Sequence, residues 1–299
     1  MSSNNILIVG ATGKQGGATV QALLSQITSL SPSLTSPTIR FTTRSPSSPS
    51  ARALASSGAS SIRADLSSID DLHSALQGID VAFLVTDKDA GEEKEVEMGI
   101  RFVEAAKEVG VKHVVFASVA DADVASTVPH FRTKYKIEQA LIESGLSHTI
   151  LRPVVFMRLL LHFRPQTPRP LSRLGNAVLK RVLIALISTT DIGHFAALAL
   201  LNPTSPTFKN QIIPLFSDVY SVKDWEKATD KAGRKGWFWT QGAEGKVVWL
   251  TLSVTYRRMT EFFKDRGFTQ IDVAALKKIH PGSLSLEDWV QQGVEGKAK

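Results

Sequence analysis

The chain contains no cysteine, which excludes disulfides, thiolate nucleophiles and cysteine-ligated zinc or iron–sulfur centres. Its seven histidines are scattered without the spacing a metal site needs. No uncharged apolar run approaches the roughly 18 residues of a membrane-spanning helix. Met1 leads into the first apolar run within a few residues, so no cleaved leader is expected and the expected location is the cytoplasm, or also the nucleus for a regulator. Acids are missing from one long stretch: between Val154 and Thr190 stand Arg158, Arg164, Arg169, Arg173, Lys180 and Arg181 with no Asp or Glu. Most of the net charge of +7 is concentrated there. A nucleic-acid binder would gather its basic residues in a recognisable module, and none is present. Neither nucleic acid nor membrane is therefore an expected partner.

What is present begins with ILIVGATGKQGG, an apolar run from Ile6 to Val9 followed at once by Gly10, Gly13 and Gly16. A buried strand that turns through glycines into a helix exposes backbone N–H groups at the helix N-terminus, the arrangement that holds a dinucleotide pyrophosphate. Gly10, Ala11, Thr12, Gly13, Lys14, Gln15 and Gly16 are the expected phosphate loop. The spacing is G-x-x-G-x-x-G rather than the commoner G-x-G-x-x-G.

With 299 residues and 43% apolar content the chain can fill a large core. Behind the glycine loop, strand and helix signals alternate. A helix over Lys14 to about Gln26 precedes a Ser/Pro/Thr-rich loop from Thr28 to Pro37, a strand over Thr38 to Thr43 and a short helix after Pro49. A strand at Ser61 to Ala64, a helix from Ser67 or Ser68 to Gly78, and the run Val81 to Val85 follow. Then come a charged helix over Glu92 to Val109, a strand at His113 to Ser118, a helix from about His130 to Glu143, and a strand at His148 to Leu151 that stops against Pro153. Six repeats predict an α/β fold, a doubly wound parallel sheet with helices on both faces. Residues 1–153 are the expected cofactor domain. Residues 154–299 form a small, mostly helical substrate or partner segment, with a return helix over 190–202 packing on the first domain, a strand at Gln211 to Leu215, and an amphipathic helix over Val248 to Lys264 stopped by Gly267. The tail Gly293 to Lys299 is expected to fray.

In such sheets the loop after the second strand meets the adenosine ribose, where an acid selects NAD and a basic residue accommodates the extra phosphate of NADP. The strand here reads TIRFTTRSP, ending in Thr43, Arg44 and Ser45 with no acid nearby. NADP(H) is the expected cofactor, held by Arg44 and Ser45, unless Arg44 is a solvated loop residue. Arg40 lies toward the wrong end of the strand. Asp65 and Leu66 are expected near the adenine, with Val85 and Thr86 along the cofactor's middle.

The stretches GATGKQGG, TTRSP, ADLSS, HVVFAS, HFRTKYKIEQAL, TILRPVVFM, TTDIGHFAALAL, RRMTEFFKDRGF and HPGSLSLEDWV resemble the NmrA-like branch of the atypical short-chain dehydrogenases across nearly the whole chain. The resemblance implies a Rossmann domain with a small C-terminal substrate domain, a preference for NADP(H), and either reductase activity on a small molecule or a non-catalytic redox-sensing role with a protein partner. It also implies that Pro153 borders the cofactor. Typical short-chain dehydrogenases use Tyr-x-x-x-Lys, whereas the corresponding pattern here is His130-x-x-x-Lys134, and Tyr135 is out of register because consecutive helical residues point about 100° apart. Lys134 is expected either to clamp the nicotinamide ribose or to pair with Glu138 one turn on. His130 is either the proton donor or an idle residue at the helix start. Ser118, at a strand end, is either a substrate-orienting hydroxyl or a turn residue. The arginines of the basic stretch either select an acidic substrate or pair with Glu92, Glu93 and Glu95.

Overall fold

Apolar runs too short for a buried helix become strands wherever glycine or an N-cap bounds them, and the first four lie side by side. Residues 5–28, 37–125, 127–159, 184–233, 258 and 272–292 are described by the computed structural model. The strands β1 (Ile6–Ile8), β2 (Ile39–Thr43), β3 (Ser60–Arg63), β4 (Val81–Leu84), β5 (His113–Ala117), β6 (Ser147–Pro153) and β9 (Gln211–Leu215) form one sheet in the order β3-β2-β1-β4-β5-β6-β9. Pairing from β3 through to β6 is parallel, with Ile8 opposite both Phe41 and Phe83. The order reverses between β1 and β4, which is where open α/β sheets bind ligands, beyond the carboxyl ends of the strands.

The connecting helices are α1 (Lys14–Thr28), α2 (Pro49–Ser56), α3 (Ile69–Leu76), α4 (Glu92–Glu108) and α5 (Pro129–Glu143). Their starts are legible chemistry: Ser48 and Ser68 cap α2 and α3 with their hydroxyls, and Gly78 and Gly110 beyond α3 and α4 take positive φ. Alternate residues Leu7, Ala82, Leu84, Val114, Phe116 and Ile150 bury against Leu72 and Leu76 of α3, Phe102 and Ala106 of α4, and Ile137 and Leu141 of α5. Gly99 of α4 admits Ile137, whose Cδ1 lies 2.5 Å from where a Cβ would stand.

The chain divides into two compact units, residues 1–152 with 192–214, and 153–191 with 215–299. In the first, α6 (Thr189–Leu201) brings Gly193 so close to Ala18 that an added Cβ would fall 2.4 Å from the Ala18 carbonyl carbon. The second unit holds a three-stranded sheet, β10 (Asp218–Tyr220), β8 (Ile184–Ile187) and β7 (Val155–Phe156) in that order, and the helices α7 (Val222–Lys231), α8 (Val273–Ile279) and α9 (Leu286–Gln291). Its core gathers Met157, Leu186, Trp225, Leu286, Trp289 and Val290. Buried Asp191 ties this unit together, accepting from the Ser188 hydroxyl at 2.7 Å, His280 Nε2 at 3.0 Å and the Leu284 N–H at 3.2 Å.

One expectation needs correction. The sixth strand runs through Pro153 instead of stopping before it. The Ser118 N–H bonds Leu151 and the Val154 N–H bonds Leu215, so the proline falls where its missing N–H would face the space beyond the end of β5, and no rung is lost. The segment after Pro153 holds the helices α6 to α9 as expected, and among the described residues it also contributes β7 and β8, one too short and the other too featureless to show a period of two. The amphipathic stretch Val248 to Lys264 lies outside the described residues apart from Arg258. Arg164, Arg169, Arg173, Lys180, Arg181, Gly267 and the tail from Gly293 lie outside them entirely.

Candidate functional site

At the end of β1, Gly10 has φ +71°, a backbone state that favours glycine, and a Cβ there would stand 2.5 Å from Val85 Cγ1. A Cβ on Gly16 would lie 2.3 Å from the Gly10 carbonyl oxygen. The turn is closed by the Gly13 N–H on the Gly10 carbonyl at 2.9 Å, and the Gly17 N–H bonds Gly13 at 3.0 Å. The first-turn N–H groups of α1, on Lys14, Gln15 and Gly16, have no acceptor within the helix, and Thr12, Gly13 and Lys14 are exposed around them. Gln15 Oε1 is buried without a hydrogen-bond partner. A glycine-walled cradle, exposed helical N–H groups and an orphaned buried acceptor together fit a dinucleotide diphosphate.

One strand over, Arg44 and Ser45 are exposed beyond Thr43. The pairing of β2 with β3 sets Arg63 opposite Thr43 and leads into Asp65. Asp65 binds the Ser67 N–H at 2.9 Å and its hydroxyl at 2.7 Å. These bonds, with a contribution from the Arg44 charge, hold its carboxyl below the usual value. Leu66 is half-buried beside it. Arg40 points away, its guanidinium on the Gln77 carbonyl at 3.3 Å beyond the end of α3.

At the end of β4 the sequence expectation is partly overturned. Lys134 is buried, and its Nζ lies 2.6 Å from Thr86 Oγ1, 3.2 Å from the Thr86 carbonyl and 2.9 Å from Glu95 Oε1. Its ion-pair partner is Glu95 of α4, not Glu138 of its own helix. Thr86 and Thr133 donate their hydroxyls to the same carboxylate at 2.8 and 2.6 Å. Burial works to raise the Glu95 carboxyl, but the Lys134 ammonium and three hydrogen bonds outweigh it and keep the group ionised. Burial pushes the Lys134 ammonium down, against the pull of Glu95. His130, one turn before Lys134, is pushed down to about 4, chiefly by burial and then by the Lys88 charge, and its Nδ1 is enclosed without a partner. A neutral imidazole at pH 7 is no stored acid.

Glu138 is committed elsewhere. Arg152 clamps its carboxylate through Nε at 3.0 Å and Nη2 at 2.6 Å and reaches Asp123 at 3.0 Å, while the Ser118 hydroxyl donates to Glu138. Ser118 is thus a buried member of a loop-holding network. Glu92 pairs with Arg132 and Glu95 with Lys134. Pro153, the buried last residue of β6, belongs to the other compact unit. Sequence reasoning treated Glu95 as a surface acid. Its signal was its place on the buried stripe of α4 with Gly99, Phe102, Val103 and Ala106.

The model of the NmrA-like family matches residues 2–265. The chain belongs to that family. Within it, an NmrA-like protein of Dictyostelium discoideum is 27% identical over 250 residues, covering 77% of this chain and 78% of that one. The oxidoreductase FrzB of Cladobotryum sp is 34% identical over 155 residues, 48% of this chain and 44% of FrzB. Among solved structures, triphenylmethane reductase of Citrobacter sp., complexed with NADP(H), superposes with a TM-score of 0.76 at 16% identity over 97% of this chain and 100% of that one. NmrA, described as a negative transcriptional regulator and solved with NADP, gives 0.74 at 17% identity over 98% of this chain and 96% of that one. These two share the fold. Among the described residues no helix is long and apolar enough to cross a membrane, and no cluster of His, Asp and Glu could hold a metal ion.

Proposed function

We propose that this NmrA-like chain binds NADP(H) beyond the carboxyl ends of β1, β2 and β4 and is an oxidoreductase acting on a carbonyl, imine or activated alkene of a small molecule, with acidic groups favoured by the basic stretch after Pro153. The observation that carries the reading is the pair formed by the Gly10–Gly16 cradle and, one strand over, exposed Arg44 and Ser45 in place of an acid. The cradle and the N-terminus of α1 hold the diphosphate through Ala11 to Gly16. Arg44 and Ser45 take the 2′-phosphate, Asp65 and Leu66 flank the adenine, and Val85 and Thr86 line the middle of the cofactor. When bound, the nicotinamide supplies a hydride, and the substrate takes up one proton to complete its reduction. Lys134 anchors the nicotinamide ribose from its seat on Thr86 and Glu95. With its pKa lowered to about 4 by burial, His130 is neutral at pH 7, so an ordered water gives the proton.

A second reading, an NADP(H)-responsive regulator that binds a protein partner and catalyses nothing, is favoured by one specific observation. Three acceptors within the protein already surround Lys134 Nζ, and an ammonium has only three hydrogens to give. The two readings separate when purified protein is incubated with NADPH and a panel of quinones, imines and unsaturated carbonyls. Steady loss of NADPH absorbance that disappears in Lys134→Ala supports the enzyme. Tight NADPH binding with no turnover across the panel supports the regulator. Arg44→Ala should lower NADPH affinity about tenfold to a hundredfold, the worth of a charge-assisted phosphate contact, and leave NADH unchanged.

A further inference from the structure

We propose that Ser45 is a phosphorylation site, and that its phosphate takes the place of the cofactor's 2′-phosphate in cis, switching off NADP(H) binding while sparing NAD(H). This rests on the assignment of Arg44 and Ser45 to the 2′-phosphate. Ser45 is exposed and directly precedes Pro46, forming the Ser–Pro step that proline-directed serine kinases accept. Its backbone is fixed, with the N–H on Thr43 Oγ1 at 3.2 Å and the carbonyl accepting the Ser48 N–H at 3.0 Å. Its hydroxyl makes no hydrogen bond among the described residues, so it is free to react.

The neighbouring Ser–Pro step, Ser48–Pro49, differs. Ser48 is half-buried and its hydroxyl accepts the Ala51 N–H as the cap of α2, a bond that modification would cost. The charge around Ser45 is also one-sided. From Pro37 to Ala64 the chain carries Arg40, Arg44, Arg52 and Arg63 and no acid, and the first acid beyond, Asp65, feels the Arg44 charge but is engaged by Ser67. Arg44 adjoins Ser45, Arg63 stands opposite Thr43, and Arg52 reaches the Ser47 carbonyl in the same turn.

In the step itself, Ser45 Oγ attacks the γ-phosphorus of a kinase-bound nucleoside triphosphate. The bond to the β-phosphate oxygen breaks, nucleoside diphosphate leaves, and the hydroxyl proton passes to the kinase's base. The product is a phosphate monoester of about two negative charges with three acceptor oxygens, the same group that distinguishes NADP from NAD. It draws on the same arginines and repels the incoming 2′-phosphate. The ribose hydroxyl of NAD(H) meets no such conflict.

The full chain is treated with a proline-directed kinase and ATP, the phosphate is mapped by mass spectrometry, and NADPH and NADH are titrated against treated and untreated protein, with Arg44→Ala in parallel. Ser45→Ala and Ser48→Ala serve only to identify the modified residue. The expected result is phosphate on Ser45, NADPH affinity lowered about tenfold or more, and NADH affinity unchanged. Absence of phosphate from Ser45, or a phosphoprotein that keeps its full preference for NADPH while Arg44→Ala loses it, overturns the proposal alone. An Arg44→Ala variant that keeps the preference overturns the cofactor assignment, and the proposal with it.

Discussion

Replacing Glu95 by Gln keeps the shape of the buried cluster and removes its negative charge. In the parent, Glu95 and Lys134 have side chains only 1% and 10% exposed and sit 2.9 Å apart, so neither charge has water to fall back on. Breaking such a pair from one side costs about 3–5 kcal/mol, because the remaining charge stays buried without compensation. The sign of the pH dependence follows. Burial already lowers the Lys134 pKa, and loss of Glu95 lowers it further. Below 10.5 the unfolded chain then holds the proton that the folded one has shed, so the variant gains stability as pH rises. Between pH 7 and 9.5 part of the deficit should therefore return. The Lys134→Met variant should show the opposite sign. Its stranded Glu95 carboxyl titrates upward, so its deficit shrinks as pH falls toward 5. Urea unfolding followed by far-ultraviolet circular dichroism reads both. A Glu95→Gln loss below about 1 kcal/mol, or one equal at pH 7 and 9.5, would refute the buried-pair account and leave Glu95 a packing residue.

Burial pushes His113 down to about 4, helped by the His148 and Lys209 charges. Its stability contribution is therefore complete above pH 6.5 and lost as pH falls toward 4, about 3 kcal/mol in all, and His113→Gln should flatten that part of a urea-midpoint profile. Gly16→Ala forces a Cβ within 2.3 Å of backbone, so NADPH binding should weaken at least tenfold with a stability loss of about 1–3 kcal/mol. Gly78→Ala, at φ +71° with nothing within 4 Å, should cost only about 1–2 kcal/mol of stability and leave binding intact, and isothermal titration compares the two. Asp191→Ala strips the acceptor from His280, Ser188 and Leu284. It should destabilise the second unit by about 1–3 kcal/mol, visible as faster amide exchange over Leu286 to Gln291.

The doubly wound sheet was legible because its signals are local. Val81 to Leu84 is apolar at every position, Ser68 caps α3, and Gly110 ends α4, each within a few residues of the element it defines. The glycine loop was legible for the same reason. The partner of Lys134 was not, since Glu138 and Glu95 are both acids within reach of a plausible helix face, and the choice is made by how α4 packs on α5 through Gly99 and Ile137. Glu95 on an apolar stripe was readable as a buried acid in need of a cation. The three-stranded sheet of the second unit escaped because β7 has two residues and β8, Ile184–Ile187, is a short apolar run that a buried helix could equally supply.

The contact between Gly193 and Ala18 has a consequence for synthesis. The helix that presents the cradle is braced by a residue made long after it, and the sheet that carries the site gains its last strand, β9, only when residues 211–215 emerge. At about 5–20 residues per second, the nascent chain spends several seconds with β6 as an open edge and α1 without its brace, the interval in which unpaired strands are most exposed to wrong partners. Ligand that needs the finished cradle arrives to a domain completed from its far end.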